Sequence, residues 1–298
     1  MKVVVAGASG FLGTALVRSL RADGVDVLRL VRRGARADDE REWDPANRRL
    51  DPAHIAGADA VVTLAGVGVG DHRWTESYKQ AILSSRLDAT TTLASTIAAV
   101  SADQRPGVLL SVSAVGYYGD TGEEAVDESS PSGDGFLADV VRQWEAAAQP
   151  ASDAGVRVVL PRCGVVLGAD GGALGKVLPI FRLGLGGRLG SGRQWMSWIA
   201  LPDLIAAMRF LLNSDQSGPV NVTAPEPVRN RDYTKALGRA VRRPALAWVP
   251  PPALRAALGG FADEGVLVSQ RVLPARLEEA GFDFTYGDID AALAALIG

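Results

Sequence analysis

The stretch Lys2-Val3-Val4-Val5-Ala6-Gly7-Ala8-Ser9-Gly10-Phe11-Leu12-Gly13 decides how the chain begins to fold. Four apolar residues after Lys2 predict a buried strand, and Leu12, Leu16 and Leu20 then recur at helical spacing. Three glycines stand between the two patterns. Gly7 and Gly10 allow a tight turn and close approach of backbone to a pyrophosphate, and Gly13 lets the helix pack on the sheet. The first turn of such a helix offers free N–H groups to an anion. Gly7, Ser9, Gly10, Phe11, Leu12 and Gly13 are therefore the predicted cofactor cradle.

Working outward, apolar runs at 25–31, 60–64, 108–113, 156–162 and 220–222 alternate with helical stretches beginning near Phe11, Glu76, Leu137 and Pro202. That alternation predicts an α/β fold, a Rossmann doubly wound parallel sheet with helices on both faces. The segment 36–59, polar and broken by Pro45 and Pro52, reads as a short irregular connection with room for one minor strand. From Gly168 the character changes, with Gly171, Gly172, Gly175, Gly184, Gly186, Gly187, Gly190 and Gly192 close together. The expected division is a cofactor-binding domain at 1–167 and a smaller substrate lobe at 168–298, with the strand near 220–222 returning to the main sheet. Glycine density of this kind suits a substrate lid. Apolar residues at helical spacing in the tail read as packing helices.

The chain has 298 residues, 47% of them hydrophobic, enough for a sizeable core. A net charge of −3, with no basic arm, argues against nucleic acid or an anionic membrane as the main partner. Cys163 is the single cysteine, so no internal disulfide forms, which fits a reducing compartment. No run is apolar enough for a membrane span and no signal peptide precedes the first strand. The expectation is a cytoplasmic protein, monomer or homodimer, with a small-molecule substrate. His54 and His72 lack the spacing of a metal site or triad, so no metal is expected.

The end of the second strand bears on cofactor choice. An acidic residue there would hold the ribose hydroxyls of NAD, whereas arginine accommodates the extra phosphate of NADP. Arg32-Arg33 stands there with no acid before Asp38, so NADP(H) is favoured over NAD(H). Leu64, Ala65 and Gly66 end the next core strand with small residues suited to a passing ribose. Ser113 ends the one after. Cys163, at the end of another strand, reads as a small buried hydrophobe.

At this point the sequence resembles the short-chain dehydrogenase/reductase superfamily, extended type. It is most similar to an atypical, NAD(P)-dependent epimerase/dehydratase-like branch of sugar-nucleotide-epimerase relatives that carries its own short C-terminal extension. The likeness rests on Trp74-Thr75-Glu76-Ser77-Tyr78-Lys79 with Ser85-Arg86, Ser113-Ala114-Val115-Gly116-Tyr117-Tyr118-Gly119, Phe136-Leu137-Ala138-Asp139 with Trp144-Glu145, Pro161-Arg162-Cys163-Gly164-Val165-Val166-Leu167-Gly168, Trp198-Ile199 before Pro202-Asp203, Asn221-Val222-Thr223-Ala224-Pro225-Glu226-Pro227-Val228, and the tail Ser269-Gln270-Arg271-Val272-Leu273-Pro274 with Ala280-Gly281-Phe282. It implies that Cys163, Gly164 and Val165 line the nicotinamide half of the cofactor and that Arg86 stands where the superfamily often has Asn. It also implies a catalytic Tyr and Lys four residues apart, but the aligned positions are Phe136 and Val140, which transfer no proton.

Candidate replacements are Ser113 with Tyr117 or Tyr118, on the loop that follows it, with Lys79 or Arg86 as cations that could lower a phenol's pKa. For substrate, Arg182 and Arg193 suit a phosphate or carboxylate, and Trp195 and Trp198 suit a ring; the resemblance makes a nucleotide-sugar one candidate. Three functions stay open: an NADP(H)-dependent oxidoreductase of a carbonyl or hydroxyl compound, a nucleotide-sugar epimerase or dehydratase, and a cofactor-binding sensor without turnover.

Overall fold

Lys2–Ala6 forms strand β1, and its side chains alternate between two cores, which is what a strand covered on both faces requires. Val3 and Val5 enter one cluster with Leu16, Val17 and Leu20, while Val4 and Ala6 enter another with Leu93 and Ile97. The protein is described here from a computed structural model covering residues 1–298. Around β1 lie β2 (Asp26–Val31), β3 (Glu40–Glu42), β4 (Ala60–Thr63) and β5 (Val108–Ser111). The strands Arg157–Cys163 and Gly218–Val222 complete the main path, and all neighbours pair in parallel. β3 arises inside the stretch read as irregular, and adds the sheet's outer edge beyond β2.

Helix α1 (Phe11–Ala22) covers one face together with the helix Leu201–Asn213. Helix α2 (Glu76–Ala99) covers the other. Thr75 caps α2 by accepting from the Tyr78 amide, and Glu76 complements the positive end of the helix dipole. Helix α3 (Phe136–Ala146) follows, and its Trp144 indole donates to Thr90 of α2 at 2.9 Å, which ties the two helices together.

A third core, with Leu174, Leu178, Phe181, Trp198, Leu237 and Leu293, builds the C-terminal lobe. The division at 167/168 is crossed by the chain. Leu204, Met208 and Leu211 of the later segment sit in the α1-side core, and Val220 and Val222 lie in the main sheet. The two-residue strand Arg271–Val272 also returns to pair with Ala125–Val126. The lobes therefore interleave. No helix is long and apolar enough to cross a membrane.

Candidate active site

Parallel strands end on the same side of a sheet, and here the residues that follow β1, β2, β4 and β5 share one crevice edge. Gly7, at φ +80°, could not be replaced: an added Cβ would lie 2.7 Å from the carbonyl carbon of Leu64. At Gly13 it would lie 2.1 Å from the Gly7 oxygen. The glycines thus set how tightly the turn passes beneath α1 and beside β4. Ser9 and Gly10 are exposed, and the amides of Phe11, Leu12 and Gly13 have no acceptor within the chain. These donors at a helix start fit a pyrophosphate. The Phe11 ring is used elsewhere, packed beneath a hairpin whose Gly168, Gly171 and Gly172 have no room for a side chain above it.

The two arginines after β2 differ. Arg33 donates from both terminal nitrogens to the buried Glu40 carboxylate, at 2.8 and 2.8 Å. Its fork is occupied, which corrects the reading of Arg33 as an equal partner for a phosphate. Arg32 is exposed and has no hydrogen bond or ion pair. Beyond β4, Arg86 packs its stem beside Gly66 and donates from Nη1 to the carbonyls of Val67 and Ile82 at 3.1 and 3.0 Å. Burial lowers its pKa to about 10. Arg86 fastens the loop after Leu64-Ala65-Gly66, so its contribution to a cofactor site runs through that loop.

Ser113, Arg162 and Asn221 lie opposite one another on adjacent parallel strands, Ser113 paired with Arg162 and Asn221 with Arg162. Ser113 Oγ donates to Glu145 of α3 at 2.6 Å. Arg162 grips the same carboxylate with Nε and Nη2, at 2.8 and 2.7 Å. Its Nη1 donates to the Tyr118 hydroxyl at 3.0 Å, which in turn donates to Asn221 Oδ1 at 2.8 Å. Burial works against the Arg162 charge, but Glu145 outweighs it and holds the guanidinium protonated. Sequence reasoning missed Glu145, Arg162 and Asn221 as members of this network. Trp144-Glu145, Arg162 and Asn221 stood out only as parts of the segments that carry the resemblance.

Several sequence-predicted residues find other roles. The Tyr118 hydroxyl donates to Asn221 and accepts from Arg162, and burial pushes its phenol up to about 12, so it braces this network. Tyr117, half-buried, lies with its ring 3.4 Å from the Arg162 guanidinium carbon and keeps its hydroxyl free of chain partners. Cys163 is buried with its thiol pushed up to about 12, and the amides of Gly164 and Val165 are bound to Val222 and Ser197. Those two N–H groups are thus engaged within the chain.

Trp198 is fully buried, its indole donating to the Glu226 carbonyl at 3.0 Å, and it anchors the lobe instead of touching substrate. Trp195 lies between Arg229 and Arg271 and donates to Glu123 at 3.0 Å. Arg182 and Arg193 are exposed. Phe136 and Val140 sit in an apolar cluster with Trp74 and Ile82. Lys79 lies over the Phe136 ring at 5.5 Å and ion-pairs with Glu76, so it has no phenol to activate.

The model of the NAD dependent epimerase/dehydratase family matches residues 3–223, and a domain of unknown function, DUF1731, matches 249–296. The chain belongs to the NAD dependent epimerase/dehydratase family. Among relatives of this epimerase family, a Mycobacterium bovis protein is 47% identical over 98% of this chain and 96% of its own length. The Bos taurus epimerase family protein SDR39U1 is 38% identical over the whole of both chains. In structure, the human epimerase family protein SDR39U1 with NADPH superposes with a TM-score of 0.91 at 35% identity, covering 100% of this chain and 99% of that one. A nucleoside-diphosphate sugar epimerase from Corynebacterium glutamicum gives 0.82 at 39%, covering 100% of this chain and 58% of that one. MoeE5 in complex with UDP-glucose and NAD, at 0.79 and 19% over 100% of this chain and 97% of that one, shares the fold. The family match and the glycine cradle agree on a nicotinamide dinucleotide as the cofactor class.

Proposed function

We propose that the protein is an NADP(H)-dependent oxidoreductase acting on a carbonyl or hydroxyl compound. The observation that carries it is the Ser113–Glu145–Arg162 chain at the crevice edge, where Ser113 Oγ lies 2.6 Å from a carboxylate that Arg162 holds at two points. Because Ser113 donates to Glu145, its oxygen presents lone pairs to a substrate hydroxyl. In the oxidising direction the substrate proton passes to Ser113 Oγ as the serine proton passes to Glu145; the reverse transfer serves reduction. The bound dinucleotide would supply hydride exchange. Glu145 acts through Ser113, and Tyr117 beside Arg162 is the remaining phenol that could orient the substrate oxygen. Arg32 and the NADPH held by human SDR39U1 favour NADP(H), although other structural neighbours carry NAD.

Phe136 and Val140 in their apolar cluster favour a second reading, a cofactor sensor without turnover. The test is NADPH and NADH titration followed by turnover assays on nucleotide-sugars and simple carbonyl compounds, with Ser113→Ala alongside. Oxidoreductase action predicts net cofactor consumption and a loss on the order of a hundredfold in kcat for Ser113→Ala with NADPH affinity retained. Isomerisation without net consumption would select an epimerase. Tight cofactor binding without any turnover would select the sensor.

A further inference from the structure

A net charge of −3 hides an uneven distribution. Between Asp170 and Asp203 the chain has four basic residues and no acid, and between Asp232 and Asp263 it has five and no acid. The fold brings these two segments together, because Gly187–Leu189 pairs with Ala247–Val249 and Arg243 Nε donates to the Arg182 carbonyl at 3.2 Å. On this one region stand five of the six large apolar side chains that the whole molecule exposes: Ile180 at 49%, Leu183 at 74%, Leu185 at 65%, Leu246 at 89% and Trp248 at 57%. Scattered exposed leucines need no explanation, but this concentration does.

The charges around it are left free. Arg182, Arg188, Arg242 and Arg243 are exposed and none has an acidic partner, whereas Arg239 and Arg255 are ion-paired with Asp290 and Asp263. Arg188 pairs in register with Trp248, so cation and indole stand side by side on the small sheet. Leu246, just before the strand Ala247–Val249, and Trp248 within it are two residues apart and both exposed.

We propose that this face docks on an anionic lipid bilayer surface. Trp248, Leu246, Leu183 and Leu185 would enter the headgroup boundary while Arg182, Arg188, Arg242 and Arg243 meet lipid phosphates. A second copy of the chain is a poorer occupant, because a two-fold contact sets each patch against itself and brings the unpaired arginines of both copies together. The summed charge of the chain does not report on this face. Arg182 thereby becomes part of a docking rim: it ends the helix Gly172–Arg182, whose start lies at Phe11, about 15 Å away along the axis.

The experiment is co-sedimentation of the full chain with vesicles of phosphatidylcholine alone and with about one-third phosphatidylglycerol. The expected result is binding to the anionic vesicles only, weakening as salt is raised. Arg182→Gln with Arg243→Gln should weaken it roughly fivefold per arginine removed. Leu246→Ser with Trp248→Ser should abolish it while the protein stays folded, the melting temperature falling by no more than the loss of the one Trp248 Nε1 hydrogen bond to the Gly190 carbonyl allows. Absence of binding to anionic vesicles at low salt overturns the proposal. So does binding that survives Leu246→Ser with Trp248→Ser, and so does a concentration-dependent dimer abolished by that pair in a protein that ignores vesicles.

Discussion

Arg32 and Arg33 are neighbours in the chain, yet only Arg32 keeps its guanidinium free. Glu40 takes the fork of Arg33, so a 2′-phosphate at the end of β2 would find its cation in Arg32. Arg32→Asp is accordingly expected to weaken NADPH binding by at least roughly tenfold while leaving NADH nearly unchanged, since a phosphate dianion loses a charge-assisted partner and gains a repulsive one. Calorimetric titration with both cofactors checks this, and equal losses would remove the assignment. Tyr117 and Tyr118 show the same divergence between neighbours. Both lie in one 3-10 turn, Val115–Tyr118, where successive side chains point about 120° apart. One phenol therefore faces Asn221 and the other lies on Arg162, a distinction that no pattern of residue types contains.

At the scale of elements, β3 is the minor strand for which sequence patterning left room in 36–59 without placing it. Three residues, Glu40-Arg41-Glu42, are too short and too charged for a period-two signal, and they pair because β2 leaves an open edge. Glu40 is buried there with its carboxyl held down at about 2 from its ordinary 4.5, first by the Arg33 hydrogen bonds and then by the Arg36 amide. A lowered folded-state pKa means stability that is present above 4.5 and lost as the pH falls towards 2. Glu40→Gln should therefore be less stable than the native protein at neutral pH, and the difference should shrink by about pH 3. Urea unfolding midpoints at the two pH values read this directly; a constant difference would show that the charge of Glu40 is not what matters.

For the molecule as a whole, the two lobes meet across the crevice mouth. Lys176 of the helix Gly172–Arg182 donates to the Gly70 carbonyl and to Asp71, at 2.9 and 2.7 Å, bridging the loop after β4 to the C-terminal lobe. The hairpin preceding that helix closes over Phe11. Lys176 and Asp71 are each more than half exposed, so the pair contributes at most about 1 kcal/mol. Lys176→Gln is expected to leave the melting temperature nearly unchanged and to speed NADPH release by up to roughly fivefold. Stopped-flow dissociation measures it, and an unaltered rate would mean that this bridge does not guard the cofactor.

Much of the framework was legible in the chain itself. The strand, glycine turn and helix at the N-terminus, the alternation of strands and helices along the chain and the starts of the main helices follow from periodicity and from glycine stereochemistry, both of which act within a window of a dozen or so residues. Tertiary structure alone decided the candidate site. Ser113, Glu145, Arg162 and Asn221 are spread over more than 100 positions, and they meet because parallel register sets three strands side by side while α3 packs across them. The apolar, arginine-rimmed face has the same origin. Its two acid-free segments are visible in the sequence, but they form one surface only where the strands Gly187–Leu189 and Ala247–Val249 pair. Local residue choice specifies elements, whereas burial and strand register, which act between distant segments, specify which side chains share a site.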